Sequence, residues 1–400
     1  MDLISPRPFW LLLNGIGEVP PPLSRDLPCD VVVIGGGITG ALCADALSEA
    51  GLGVIVVDKR QPGMGSTSAS TALLQYDLDE PLTQLTEKIG GERARDAYVA
   101  ALNGVRSIRR ICESLPNDVG FRERPTLYLA SSAKDAKDFA KECAAREAAG
   151  LPCELLSKKD LRSIADFKAP AALRSSAGAE VDPWRLSHAL LERAKKRGAL
   201  VFGRTTVKRI APADGHIKVI TDRGEIRAPR VVIATGYEAE QLLPKKVAKL
   251  HSTYAIATEP VESFDGWPDR SLIWESARPY LYMRTTEDDR IMVGGLDDPF
   301  RDPSARDRRV SAKARSLLEK ARRFFPRIEM ETAVAWAGTF GETKDSLPFI
   351  GSHPELDERI FFALAYGANG MPFAAVAAEL AVSEVTRRQH RYQHTFIFNR

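Results

Sequence analysis

The chain has 400 residues, 44% of them hydrophobic and 27% charged, which allows two or three domains around sizeable cores. Its 56 Lys and Arg nearly balance 53 Asp and Glu, and the net charge of +3 is interleaved along the chain, which leaves no electrostatic case for nucleic-acid binding. Cys29, Cys43, Cys112, Cys143 and Cys153 are odd in number and scattered without a C-x-x-C, so a disulfide framework or a metal site is not expected and a reduced, cytoplasmic setting is.

No apolar run approaches the roughly 18 residues that span a bilayer, so no transmembrane segment is expected. Residues 1–27, with Pro20–Pro21–Pro22, read as an N-terminal extension that packs Phe9 and Trp10 on the body of the protein. Next comes DVVVIGGGITGALCADALSEAGLGVIVVD, residues 30–58, around which the chain is organised. Asp30 to Ile34 is the β-branched run that a doubly buried parallel strand requires. Gly35, Gly37 and Gly40 give the G-x-G-x-x-G spacing for a tight turn, close approach of a pyrophosphate and tight helix packing. Ile38 and Thr39 open the helix, whose free N–H groups attract an anion. Leu42, Cys43, Ala46, Leu47 and Ala50 form its inner face, with Asp45, Ser48 and Glu49 outside. The second strand, Val54 to Val57, ends in Asp58, placed to accept ribose hydroxyls and followed by Lys59 and Arg60. Strand, turn, helix and acid agree on a dinucleotide site.

GMGSTSASTALLQ, residues 63–75, has the composition of a linker but follows a nucleotide fold, which favours hydroxyls and N–H groups lining a cofactor. Residues 81–149 read as helical with a short strand at 126–130, and Lys134 to Ala149 as an exposed helix. A helix entered at Asp182–Pro183 and stopped at Gly198 follows, with His188 packed or at the surface, and the Lys195–Lys196–Arg197 cluster solvated. The strand Arg230 to Ala234 runs into Thr235–Gly236, suited to close approach of a ligand. From 251 to 296 the pattern changes to antiparallel strands carrying Tyr254, Trp274, Tyr280, Tyr282 and Arg284, the beginning of a second sheet. An amphipathic helix spans 306–325. The chain closes on WAGTFGETKDSLPFIG and a strand, a Gly-Ala-Asn-Gly turn and a helix starting near Gly370–Met371.

In this order, VVVIGGGITG, GSTSAS, VDPWRLSHALLERAKKRGA, VVIATG, WAGTFGETKDSLPFIG and YGANGM resemble the D-amino-acid oxidase family of FAD-dependent oxidoreductases, over roughly residues 28–388. The resemblance implies an α/β fold: a Rossmann-type FAD-binding domain (28–80, 150–245 and 336–400) with a mixed or antiparallel α+β substrate domain (81–149 and 246–335). It implies noncovalent FAD held by Gly35, Gly37, Ile38, Thr39, Gly40, Asp58, Lys59 and Arg60. Ser66, Thr67, Ser68, Ser70, Thr71, Ala72, Leu73 and Leu74 would line its middle. Val207, Thr235, Gly236, Trp336, Gly367, Asn369, Gly370 and Met371 would complete the site. Tyr254, Tyr282, Arg284, Phe340 and Asn369 are the expected substrate-side residues.

Phe340 stands where amino-acid oxidases of the family carry an Arg for the substrate carboxylate, and Pro372 where sarcosine oxidases carry a Lys. Neither Cys nor His occurs in 63–75 or at Gly338–Phe340, the positions of a flavin tether. The expected activity is oxidation of the C–N bond of an amine or amino acid by hydride transfer to flavin N5. The acceptor is open among oxygen, a quinone and an electron-transfer protein. Arg284 and Arg278 remain as anion-binding candidates. Oxidation of a 2-hydroxy acid, or service as the flavin subunit of a larger complex, are the alternatives.

Overall fold

The computed structural model describes residues 2–367 and 369–400; Met1, in the expected extension, and Ala368, in the expected Gly-Ala-Asn-Gly turn, lie outside the described residues. The strand Val31–Ile34 is buried throughout, near the middle of a six-stranded sheet. The order is Phe349–Ser352, Ile360–Leu364, Arg230–Ile233, Val31–Ile34, Val54–Val57, Leu200–Phe202. The last five strands are parallel, and Phe349–Ser352 joins antiparallel. Gly35 sits at φ +106°, and a Cβ on Gly40 would lie 1.8 Å from the Gly35 carbonyl oxygen, so strand and helix meet this closely only through glycines.

The helix Ile38–Glu49 is buried more fully than its two-faced pattern predicts: Asp45 and Ser48, expected outside, are inside. The neighbouring helix Pro183–Lys196 covers them. Arg193 donates from Nε and Nη2 to the two Asp45 oxygens, each at 2.7 Å, and Arg197 adds a third bond at 2.9 Å. Arg197, expected in a solvated cluster, thereby ties this helix to its neighbour. Asp182 caps the second helix by accepting the N–H groups of Trp184 and Arg185.

A nine-stranded mixed sheet forms the second layer. It runs Thr332–Thr343, Ala248–Thr258, Ile291–Asp298, Leu281–Thr285, Leu272–Glu275, Arg122–Leu129, Ala171–Glu180, Leu73–Leu74, with Glu154–Ser157 also on Ala171–Glu180. This sheet crosses the boundaries drawn from the sequence. Leu73–Leu74 and Ala171–Glu180 were expected with the nucleotide fold, and Thr332–Thr343 was to be divided at 336. One face of the sheet is covered by the helix Pro303–Phe324, through Leu317 and Ala321 against Tyr254, Ile256 and Met283. A third sheet of four strands, Leu27–Pro28, Glu225–Ala228, His216–Thr221 and Val207–Ala213, flanks the nucleotide fold.

The helix Ala133–Ala148, expected to be exposed, buries Phe139, Glu142, Cys143 and Arg146. Arg146 is the reason: its guanidinium pairs with Asp77 and, at 2.7 Å, with Glu142, between the rings of Tyr76 and Tyr98. The N-terminal stretch is tied in at several points. Trp10 Nε1 donates to the Ser70 carbonyl at 2.6 Å, and Phe9 stacks on Trp336. Ser5 N–H donates to the Ala337 carbonyl, and the fully buried Arg306 donates from Nη2 to the Ile4 carbonyl at 2.8 Å. Among the described residues no helix is long and apolar enough to cross a membrane.

Candidate active site

A cavity of about 460 Å³ is lined by residues of both large sheets. At one end lie Gly35, Gly37, Ile38, Thr39, Asp58, Lys59, Arg60 and Val207. The residue before the helix Ile38–Glu49, Gly37, has no side chain to cap it, and the first helical N–H, that of Ile38, donates to Thr67 Oγ1 at 2.9 Å. Asp58 is already engaged: Oδ2 accepts Gly36 N–H at 2.7 Å and Oδ1 accepts Arg60 N–H at 2.8 Å. Burial pushes its carboxyl above the ordinary range, with the two N–H groups pulling the other way. Lys59 and Arg60 both pair with Glu238, at 2.6 and 2.9 Å.

Ser66, Thr67, Ser70, Thr71, Ala72, Leu73, Thr235 and Gly236 line the middle. The Ser- and Thr-rich stretch is no linker, since Ser66–Ala69 forms a helical turn. Ala72 takes a left-handed φ of +52° and is held there from both sides. Its N–H donates to Ser70 Oγ at 3.1 Å, and its carbonyl accepts from Arg284 Nη1 at 3.3 Å. Such backbone strain persists where neighbours fix it.

At the far end are Phe340, Tyr282, Gly367, Asn369, Gly370 and Met371. The helix Gly370–Val385 also begins without a side-chain cap. Gln75, Asp77, Asp79, Thr253, Trp274 and Tyr280 also line the cavity. Of these, only Trp274 and Tyr280 stood out in the sequence, as strand aromatics. Burial, with Asp297 nearby, pushes the Tyr282 phenol up to about 12, and burial with Asp79 raises Tyr280 well above its ordinary value. Both phenols are therefore protonated at neutral pH.

Six expected site residues do not line the cavity. Tyr254 points to the opposite face of its strand, where its hydroxyl donates to Asp298 Oδ2 at 2.8 Å beneath the helix Pro303–Phe324. Arg284 is buried behind the lining, bound to the carbonyls of Ala72 and Val181 and over the Trp10 ring. Trp336 supports the wall by donating to the Ala69 carbonyl at 2.9 Å. Gly40 packs on the turn, Ser68 bonds the Gly65 carbonyl, and Leu74 is in the core. Arg278 is exposed, donates to the Asp79 carbonyl at 3.1 Å and lies over the Tyr280 ring.

The site fits a bound dinucleotide on its own features: two uncapped helix N-termini, a glycine turn too tight for side chains, and an unpartnered, buried Thr235 Oγ1 on the wall. A parallel nucleotide sheet and a mixed sheet sharing one long cavity are the marks of a dinucleotide-dependent oxidoreductase. The chain belongs to the FAD dependent oxidoreductase family, whose model matches residues 30–384, in accord with the resemblance read from the motifs. It is 27% identical over 373 residues to a glycine oxidase of Geobacillus kaustophilus, covering 90% of this chain and 93% of that one. It is 26% identical over 378 residues to the gamma-glutamylputrescine oxidoreductase of Escherichia coli, covering 91% and 85%. The crystal structure of glycine oxidase from Geobacillus kaustophilus superposes with a TM-score of 0.77 at 22% identity, covering 93% of this chain and 99% of that one.

Proposed function

We propose that the chain binds FAD noncovalently along this cavity and oxidises the C–N bond of an amine or amino acid. The observation that carries the reading is one continuous cavity with a dinucleotide turn at one end and a polar, aromatic chamber at the other. Asp58, the glycine turn and the N–H groups that follow Ile38 in the first turn of its helix would hold the adenosine and pyrophosphate. Ser66 to Leu73 and the uncapped helix at Gly370 would hold the flavin, with Phe340 and Tyr282 on the substrate side. The names of the relatives, glycine oxidase and gamma-glutamylputrescine oxidoreductase, support a C–N substrate.

When bound, FAD supplies the acceptor for the two electrons that leave the substrate carbon as hydride. The chain's own residues contribute positioning and water exclusion. Among the described lining residues there is no histidine, and Tyr280 and Tyr282 stay protonated, so they donate hydrogen bonds rather than abstract protons. The amine enters neutral, loses hydride from carbon and a proton from nitrogen, and leaves as an imine that water hydrolyses. The helix N-terminus at Gly370 offers N–H groups and a positive dipole to negative charge. Anaerobic mixing with panels of amines, amino acids and 2-hydroxy acids tests the reading. Amines or amino acids should bleach the flavin, and bleaching by hydroxy acids alone would overturn it.

A further inference from the structure

One part of the cavity wall comes from the start of the chain. Leu3 and Ile4 line the cavity, although neither belongs to a strand of the three sheets. Ile4 forms an antiparallel bridge to Gly338 on the strand Thr332–Thr343. That strand is at the edge of the nine-stranded sheet and brings Gly338, Thr339 and Phe340 to the cavity. An edge strand leaves a row of N–H and C=O groups open, and the first residues of the chain fill part of it. Ser5 N–H donates to the Ala337 carbonyl and Ala337 N–H donates to Ser5 Oγ, each at 2.9 Å. Gly338 is two residues from Phe340 and pairs with Thr253, another lining residue, so Ile4 adjoins the side of the cavity assigned to the substrate.

A second observation shows that this segment is held in place. Arg306, fully buried in the helix Pro303–Phe324, donates from Nη2 to the Ile4 carbonyl at 2.8 Å and from Nη1 to the Asp2 carbonyl at 3.4 Å. Its Nη1 also reaches Thr339 Oγ1 at 3.5 Å, so one guanidinium ties the segment to the lining strand. Burying a guanidinium is costly unless its N–H groups are used, and here they are directed at the backbone of residues 2 and 4. Leu3 is 5% exposed although it lies so near the N-terminus, where chains are ordinarily loose. Leu3 and Ile4 offer no side-chain hydrogen bond, so what they decide is how much bulk fits beside them.

Resting on the reading of this end as the substrate chamber, we propose that residues 2–5 are a built-in wall of it and that Leu3 and Ile4 determine specificity by limiting the bulk of the substrate. The class this favours is slim, unbranched amines, and amines carrying a ring or a branch beside the reacting carbon are excluded.

Two reductants that are not amines isolate access from substrate chemistry. N-benzyl-dihydronicotinamide is bulky and reduces flavins by passing hydride from its ring carbon to flavin N5, which leaves a pyridinium. Dithionite is small and serves as the reference. Anaerobic mixing of each with the holoenzyme gives the ratio of the bulky to the small rate. Leu3→Ala combined with Ile4→Ala, and separately Arg306→Met, should raise that ratio by roughly tenfold, the discrimination that a methylene or two gives in an apolar pocket. Leu3→Trp should lower it. Unfolding opens the flavin and cannot mimic a fall, so Leu3→Trp decides alone if the other variants do not hold FAD. Ratios that stay at the wild-type value would overturn the wall and leave C–N oxidation intact. Bleaching by hydroxy acids alone would overturn the C–N reading without moving these ratios.

Discussion

Asp58 pins the glycine turn in the structure and, in the proposed function, accepts ribose hydroxyls; Asp58→Asn tests both roles by separate readouts. Its oxygens accept one backbone N–H each, from Gly36 in the glycine turn and from Arg60 beyond the strand, at 2.7 and 2.8 Å. An amide keeps one oxygen and turns an NH₂ toward the other N–H, so one buried donor is left facing a donor. An unsatisfied buried group costs about 1–3 kcal/mol, and apoprotein stability should fall by that amount. The charged acceptor that the proposed function assigns to the ribose hydroxyls is lost as well. Hydrogen bonds to charged groups contribute about 1.5–3 kcal/mol, so FAD affinity should weaken by roughly ten- to a hundredfold. Urea unfolding of the apoprotein measures the first effect, and fluorescence titration with FAD the second. Weaker FAD binding with unchanged apoprotein stability would refute the turn-pinning role. An unchanged FAD dissociation constant would show that the ribose is held elsewhere.

Arg284→Ala removes the partner of the Ala72 and Val181 carbonyls, so it should cost about 1–3 kcal/mol of stability. It should also slow flavin reduction equally for cationic, neutral and anionic substrates; a loss confined to anionic ones would return Arg284 to the pocket. Glu142→Gln breaks a buried pair and should cost about 3–5 kcal/mol at neutral pH. Burial pushes the Glu142 carboxyl up, but Arg146 and the N–H groups of Thr83 and Leu82 outweigh it and hold it below the ordinary glutamate range. Its stabilisation is thus complete above that range and disappears as pH falls through the folded value, so wild type and variant should converge in acid in urea unfolding. Arg306→Met frees the Ile4 and Asp2 carbonyls, and limited proteolysis should then clip residues 2–14 faster than in the wild type.

The glycine turn, its helix and Asp58 were legible because their geometry is local: a left-handed glycine, a close approach and a fixed offset leave few alternatives. The second sheet was legible as strands but not in extent. Leu73–Leu74 and Ala171–Glu180 are joined by non-local pairing that no periodicity reports. Tyr254 was misassigned because alternation fixes which residues share a face, not which face meets the cavity; Thr253 lines it and Tyr254 lies under a helix. Arg284 stands two positions from Tyr282, but its long side chain reaches past the cavity to Ala72. Gln75, Asp77 and Asp79 did leave a signal, polar residues at every second position directly after Leu73–Leu74. Their meaning depends on Arg146, 69 positions away from Asp77 and itself in a segment that read as solvent-exposed.

The central claim, C–N oxidation at this cavity, is tested most directly by the products of one anaerobic turnover. Holoenzyme mixed with a primary amine or amino acid that reduces the flavin, deuterated at its α carbon, should release one carbonyl compound and one ammonia per flavin reduced. Reduction should also be slower than with the undeuterated substrate, because the C–H bond breaks in that step. Flavin that stays oxidised with every amine and amino acid, or reduction that releases no carbonyl product, would contradict it.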